Sequence, residues 1–300
     1  MHVARLKGLA RAHLDTATIE GEIVSLPDGA VTVLDGHMMA SVGADLGTLY
    51  LRVALDRPKR LTVFADDPGV VARHCAGLAL STDVRGPDGE ASLAVPLPDI
   101  VGGLSDVALV GLLRDTGLDV SVEHGRAIGT LHGLVVARLA PDGSLEVGVG
   151  EIDMAAATMM NGTDAAALAR VVEQVRLHRV SGRRHPIGRL SSARWLRSAL
   201  REDPAQIAPG EWRDVEPIKP SKGVRDETPA CALIDANRLV VCTAVLDRTL
   251  IPEVLDQCSR FDVHFVSIAV PTNDVLLATR LTNDLFAVES SVVEVTPPWV

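Results

Sequence analysis

The chain has few aromatic residues and no long apolar run. Aromatics make up 3% of the 300 residues, so a surface on which nucleic-acid bases stack is hard to build. The longest apolar runs, 91–97 and 240–245, fall far short of the roughly 20 residues of a membrane helix. Arg5, Lys7 and Arg11 interrupt the first 14 residues, which excludes a signal-peptide pattern there. We therefore expect a cytoplasmic protein with no membrane partner.

Cysteine is also scarce, and its spacing excludes two kinds of site. The four cysteines are Cys75, Cys231, Cys242 and Cys258. No two of them form a CxxC pair, and they are too scattered for a disulfide framework. The sequence therefore predicts buried free thiols and no metal ligands.

The common catalytic and cofactor motifs are either absent from the sequence or fail in their context. There is no GxxxxGK[ST] loop and no GxSxG elbow, which excludes a P-loop NTPase and a hydrolase of the elbow type. The stretch 145–152 carries Gly148 and Gly150 and resembles a dinucleotide-binding loop only in part, because Ile152 occupies the third glycine position. We predict no cofactor, and we interpret these glycines as permitting close packing at a strand end.

Three carboxylates are the candidate catalytic residues: Glu123, Glu151 and Asp153. Nucleases of the restriction type hold a divalent metal between acids on adjacent strands, with a lysine beside one of them. This chain has no lysine between Lys59 and Lys219. A metal-dependent nuclease or other hydrolase with a degenerate carboxylate site is therefore the alternative function, and solvated strand acids are the simpler interpretation. The sequence does not decide whether the protein is an enzyme.

A reversal of charge is the most informative feature that is present. The net charge of the chain is −10, yet the segment from Arg170 to Arg201 holds nine arginines and one acid, Glu173. The segment thus carries +8 and the rest of the chain −18. Such asymmetry concerns partners more than fold.

The arginine-rich segment 170–201 predicts a binding or assembly protein without turnover. We expect anion-binding residues in this segment, namely Arg176, Arg179, Arg183, Arg184, Arg189 and Arg194. The anionic partner is an acidic protein surface or a nucleic acid, since arginines neutralise phosphates and pair with carboxylates. Alternatively, the arginines pair with acids of the same chain, or with those of a second copy in a homo-oligomer.

Alternation of strand and helix patterns predicts an α/β fold. Two similar β-β-α-β-α-β units, consistent with an internal duplication, are expected to flank a central helical segment rich in arginine. The predicted divisions are an N-terminal unit at 1–100, a central segment at 101–202, a linker or surface crossing at 203–228 and a C-terminal unit at 229–300. One compact domain, with a single sheet whose two edges are alike, is the other interpretation.

Overall fold

The computed structural model describes residues 3–4, 6–7, 23–98, 107–140, 142–159, 164–183, 185–220, 224–225, 228–246 and 248–300. Within these residues the protein has three β-sheets and eight α-helices, with both parallel and antiparallel strand pairs. The predicted α/β class is confirmed. No helix in the described part of the chain is long and apolar enough to cross a bilayer.

The first sheet contains five strands in sequential order. They are β1 (Ile23–Leu26), β2 (Gly29–Leu34), β3 (His37–Val42), β4 (Arg60–Ala65) and β5 (Ser81–Arg85). The first three strands are antiparallel neighbours, and β3, β4 and β5 run parallel. Helices α1 (Leu46–Asp56) and α2 (Pro68–Ala76) make the two crossovers, because parallel strands cannot be joined by a tight turn.

The last sheet has the same strand order and the same strand directions. Its strands are β10 (Trp212–Val215), β11 (Ala230–Ile234), β12 (Arg238–Cys242), β13 (Phe265–Pro271) and β14 (Glu289–Val295). The hairpins β10-β11-β12 are antiparallel, whereas β12, β13 and β14 are parallel. Helices α7 (Leu250–Arg260) and α8 (Val275–Thr282) make the crossovers.

These two sheets correct the predicted element order, because each has three strands before its first helix. Strand β3 is missing from the predicted order; it is buried along nearly its whole length, so its sequence lacks the alternation that marks a half-exposed strand. Strand β10 falls within the predicted linker and has only four residues. The sheets are separate, so the single-sheet interpretation is wrong; the predicted domain boundaries stay a prediction.

The two five-stranded units share one hydrophobic core. Helix α1 packs against α7 and α8, and α2 packs against α7. The buried residues of this core come from both sheets and include Val63, Tyr50, Val254 and Ile268. The four helices therefore lie between the two sheets.

A third sheet occupies the middle of the chain. Its four antiparallel strands are β6 (Asp119–Glu123), β7 (Arg126–Leu131), β8 (Leu134–Leu139) and β9 (Leu145–Val147). Around it lie α3 (Val107–Asp115), α4 (Glu151–Met159) and α5 (Ala165–His178), followed by a 3-10 helix (Pro186–Arg189) and α6 (Ser192–Glu202). The arginine-rich segment 170–201 thus spans α5, the 3-10 helix and α6.

Candidate anion-binding surface

Helix α6 places its arginines in a buried position. Its apolar side, with Leu196 and Leu200, packs on the outer face of the last sheet. Its other side carries Arg194, Arg197 and Arg201 at intervals of three and four residues, which share one face. Arg194 and Arg197 are nevertheless buried, because this face meets the edge strands β6 and β10. Of these three, Arg194 belongs to the predicted anion-binding set, and the structure buries it.

Acids of these edge strands pair with the arginines of α6. Both terminal nitrogens of Arg194 donate to the carboxylate of Glu123, each at 2.7 Å. Arg201 donates to Asp119 and, at 3.2 Å, to Asp214. Such paired guanidinium–carboxylate bonds fix orientation as well as charge. The contacts join the middle sheet to the last one.

Arg197 and Arg179 bind backbone carbonyls. Arg197 donates to the carbonyls of Val215 and Cys231 at 3.2 and 3.0 Å, and it lies 3.2 Å from Asp214. Arg179, which is 1% exposed, stacks on the Trp195 ring at 4.4 Å. Its donors reach four carbonyls, those of His132, Ile187, Leu190 and Ser191. These two arginines hold loops together.

The remaining arginines of the predicted set lie at the surface or outside the described residues. Arg176 is 52% exposed and lies 3.6 Å from Glu173. Arg183 is exposed and donates to the Leu177 carbonyl at 2.7 Å. Arg189 is exposed, and Arg184 lies outside the described residues. The structure therefore divides the segment into an internal set and an exposed set.

A basic cavity of about 420 Å³ lies beside the exposed set. It is lined by His185, Pro186, Arg189, Leu190 and Arg225, and we call it the basic cavity. No acid is among these described lining residues. Arg189 and Arg225 are both exposed, and neither side chain has a hydrogen bond or ion pair with a described residue. Two cations therefore remain available to a ligand in a protein of net charge −10.

Local structure positions both arginines of the basic cavity. Arg189 ends the 3-10 helix. Arg225 follows Val224, whose carbonyl accepts hydrogen bonds from the backbone nitrogen and the hydroxyl of Ser191 at 3.0 and 3.3 Å. Sequence analysis missed Arg225 because its partner segment lies more than 30 residues away. No local signal places it next to Arg189.

Two stacked histidines adjoin the basic cavity. The rings of His178 and His185 lie 3.8 Å apart between centroids and are tilted by 12°. Partial burial, together with the charges of His185 and Arg183, lowers the pKa of His178. The lowered pKa favours the neutral form of His178, which can stack on His185 without charge repulsion.

The candidate catalytic carboxylates do not meet as a site. Glu123 is held by Arg194. Glu151 is exposed and lies 3.8 Å from Arg138, while Asp153 is exposed in the first turn of α4. No group of three side chains suited to a metal ion occurs among the described residues. At Gly148 an added Cβ would lie 2.9 Å from the Asp153 carbonyl carbon, so α4 packs closely there.

A buried polar network between α1, α2 and α7 was not expected from the sequence. The His74 ring lies 3.1 Å from the Tyr50 hydroxyl and 2.7 Å from Asp256, to which Arg73 also donates at 3.0 Å. Burial alone would raise the pKa of Asp256, but the hydrogen bonds and charges of His74 and Arg73 lower it. Burial raises the pKa of Tyr50 well above its usual value. Because all four residues are buried, the network stabilises the junction between units.

Glu253, on α7, is a second buried titratable group. Its carboxylate accepts hydrogen bonds from the Gln257 amide at 2.8 Å and the Ile218 backbone nitrogen at 3.2 Å. Burial raises the pKa of Glu253 to about 7, against an ordinary value of 4.5. The folded protein therefore keeps this proton at pH values where the unfolded chain has lost it.

The pH dependence of stability should report this proton. Protonated Glu253 contributes to the free energy of unfolding. This contribution is fully present below about pH 4.5 and is lost as the pH rises to about 7. Glu253→Gln removes the charged form, so we expect the variant to match the wild type near pH 4.5. Above pH 7 the variant should be more stable by about 3 kcal/mol, from the size of the pKa difference. Denaturant titrations across this range measure it, and a constant difference at all pH values would contradict it.

The comparisons with known proteins add no family to this geometry. No family model matches the chain, and neither a curated protein nor a solved structure matches it. Function must therefore be argued from the arrangement of side chains alone.

Proposed function

We propose that this protein is a binding or assembly protein without turnover, which docks an anionic group of a partner in the basic cavity. The observation that carries the proposal is the unpaired state of Arg189 and Arg225 among the described residues. Most of the described arginines of the segment 170–201 form ion pairs or hydrogen bonds with acids or carbonyls of the same chain. These two cations face a cavity with no acid in its described lining.

The chemistry of the basic cavity favours phosphate or carboxylate ligands. Arginine binds both groups through paired hydrogen bonds. The side chain of Leu190 gives the cavity an apolar wall. Exposed cations next to a binding cavity add to the association rate through long-range attraction. Arg183, an exposed arginine of the segment 170–201, contributes to this long-range attraction. A nucleic acid and an acidic protein surface both carry suitable groups.

The nuclease alternative has no comparable support. Its three carboxylates are separated in the described structure, and Glu123 is neutralised by Arg194.

A cytoplasmic location stays a prediction. The four cysteines are all free thiols, which fits a reducing compartment.

We also infer that the two five-stranded units arose by internal duplication and serve as the scaffold. Their sheets share strand order and direction. A matching turn supports the inference: the Gly36 carbonyl accepts from Lys59 and Arg60, and the Asn237 carbonyl accepts from His264 and Phe265 in the same way. In each pair, the first donor immediately precedes the next parallel strand and the second donor is its first residue.

The proposal is tested by exchanging the two free arginines for glutamine. We expect Arg189→Gln/Arg225→Gln to weaken binding of a labelled single-stranded oligonucleotide or of a labelled polyglutamate peptide by about tenfold or more. Fluorescence anisotropy at two salt concentrations measures it. For the oligonucleotide, the slope of log affinity against log salt should fall by about 1 to 2, because two phosphate contacts are lost.

The matched control is Arg170→Gln, an exposed arginine on α5 that does not line the basic cavity. Binding of the oligonucleotide alone would identify a nucleic-acid partner, and binding of the peptide alone an acidic protein. If the wild type binds neither probe, or if the control is weakened as much as the double variant, the proposal is wrong.

A further inference from the structure

A second cavity lies at the junction of the two five-stranded units. It has a volume of about 590 Å³, within the range of small-molecule sites, which often lie between units of a fold. The end of α1 forms one side, and α8 with the turn that follows it forms the other. We call it the junction cavity; none of its lining residues belongs to the basic cavity.

Reciprocal backbone contacts hold this junction. The nitrogen of Ala79 donates to the Leu285 carbonyl at 2.9 Å, and the nitrogen of Ala287 donates to the Gly77 carbonyl at 2.8 Å. Leu78 and Phe286 form an antiparallel bridge between them. These positions correspond in the two units, since each precedes the last strand of its sheet. The walls of the cavity are therefore fixed by main-chain bonds.

The lining combines an apolar floor with a charged rim. The accessible apolar surface of the floor comes from Leu55, which is exposed, and Leu80, which is half-buried. Val53, Ala54 and Leu285 also line the cavity but are buried in the shared core. On the rim, Arg57 donates to the carbonyls of Asn283 and Arg280, which ties its guanidinium to the end of α8.

The side chain of Arg280 lies on the same rim and is available to a ligand. It is exposed and has no hydrogen bond or ion pair with a described residue. Asp284, an acid of the rim, instead accepts a hydrogen bond from the Asn283 amide at 2.7 Å. A cation without a partner among the described residues thus shares the cavity lining with apolar side chains.

Two further observations indicate an apolar ligand body. Leu276 lies one turn before Arg280 on α8 and is 86% exposed, and Leu55, which lines the cavity, is 43% exposed. The corresponding cap position of the other unit, after α7, holds Phe261, whose ring packs against the shared core. In place of that aromatic side chain the first unit has Arg57, which turns to the main chain of α8.

We propose that the junction cavity binds an amphipathic organic anion, with its apolar body against Leu55 and Leu80 and its carboxylate at Arg280. Burial of apolar surface supplies the affinity, and the cation selects the charged head group. The proposal does not rest on the basic cavity and stands or falls separately from it.

Two matched probes test it, 2-naphthoate and its uncharged analogue 2-naphthamide, by isothermal titration calorimetry. We expect the wild type to bind both, 2-naphthoate more tightly, with a negative change in heat capacity. Arg280→Gln should weaken 2-naphthoate by about fivefold and leave 2-naphthamide within about twofold, because only the charged probe uses the guanidinium. Leu80→Trp, which fills the cavity, should abolish binding of both probes.

The control is Arg170→Gln, an exposed arginine away from the junction, which should bind as the wild type does. Failure of the wild type to bind 2-naphthoate would overturn the proposal, as would equal losses for both probes in Arg280→Gln. Because Arg280 is exposed, that variant should keep the wild-type unfolding curve, so loss of binding is distinguished from loss of fold even if Leu80→Trp is unstable.

Discussion

Replacement of Arg179 by methionine is expected to lower the free energy of unfolding by about 3 to 5 kcal/mol. The methionine fills similar space but donates no hydrogen bond. Four carbonyls around the buried guanidinium then lose their donor, and each such loss costs on the order of 1 kcal/mol or more. The stacking on Trp195 is lost as well. Denaturant titration followed by tryptophan fluorescence measures the change.

Arg176→Met is the matched control, because Arg176 lies in the last turn of α5, three residues before Arg179, and is exposed. It should change stability by no more than about 0.5 kcal/mol. Arg179→Lys should be destabilised almost as much as Arg179→Met, since one ammonium group cannot reach four carbonyls. Equal effects at positions 176 and 179 would show that Arg179 is not the internal anchor described above.

Breaking the pair between Arg194 and Glu123 should have an effect of similar size. Both side chains are about nine-tenths buried, so Arg194→Met leaves a carboxylate without its partner away from water. Removing one member of a buried ion pair costs about 3 to 5 kcal/mol. The expected result is a large loss of stability in the single variant, measured by denaturant titration.

The double variant Glu123→Leu/Arg194→Met distinguishes an ion pair from mere packing. When both charges are replaced by apolar groups, neither is left buried alone, and stability should return to within about 1 kcal/mol of the wild type. A double variant as unstable as the sum of the two single variants would contradict this account. The comparison also tests whether α6 joins the middle sheet to the last sheet through charge.

Strand and helix patterns predicted much of the local structure but not all of it. The start of α5 is a local feature, since the Asp164 side chain accepts from the Ala167 nitrogen at 2.7 Å and caps the helix. Strand β3 was missing from the predicted order because it is buried on both faces, which removes the alternation that identifies a strand. The short edge strand β10 had too few residues to give a pattern. Its pairing with β11 is decided by contacts across the sheet.

The candidate site, too, was predicted only in part from the sequence. Sequence analysis placed Arg189 in an anion-binding set, and the structure lines the basic cavity with it. It also placed Arg179 and Arg194 there, which the structure buries against carbonyls and Glu123. Charge composition cannot distinguish a buried arginine that is paired within the protein from one that faces solvent, because both look the same in the sequence. Arg225 joined the site only through folding.

The sequence by itself determined the α/β class, the clustering of arginine within 170–201 and the absence of the P-loop and GxSxG motifs. These depend on composition and on short-range pattern, which one chain displays directly. Only the tertiary structure decided which arginines are exposed and that two units share a core. The physical reason is that the acids lie outside the local pattern of α6: Glu123 on β6 is 71 residues from Arg194, and Asp214 on β10 is 13 residues from Arg201. They meet its arginines only when apolar burial brings the sheets together.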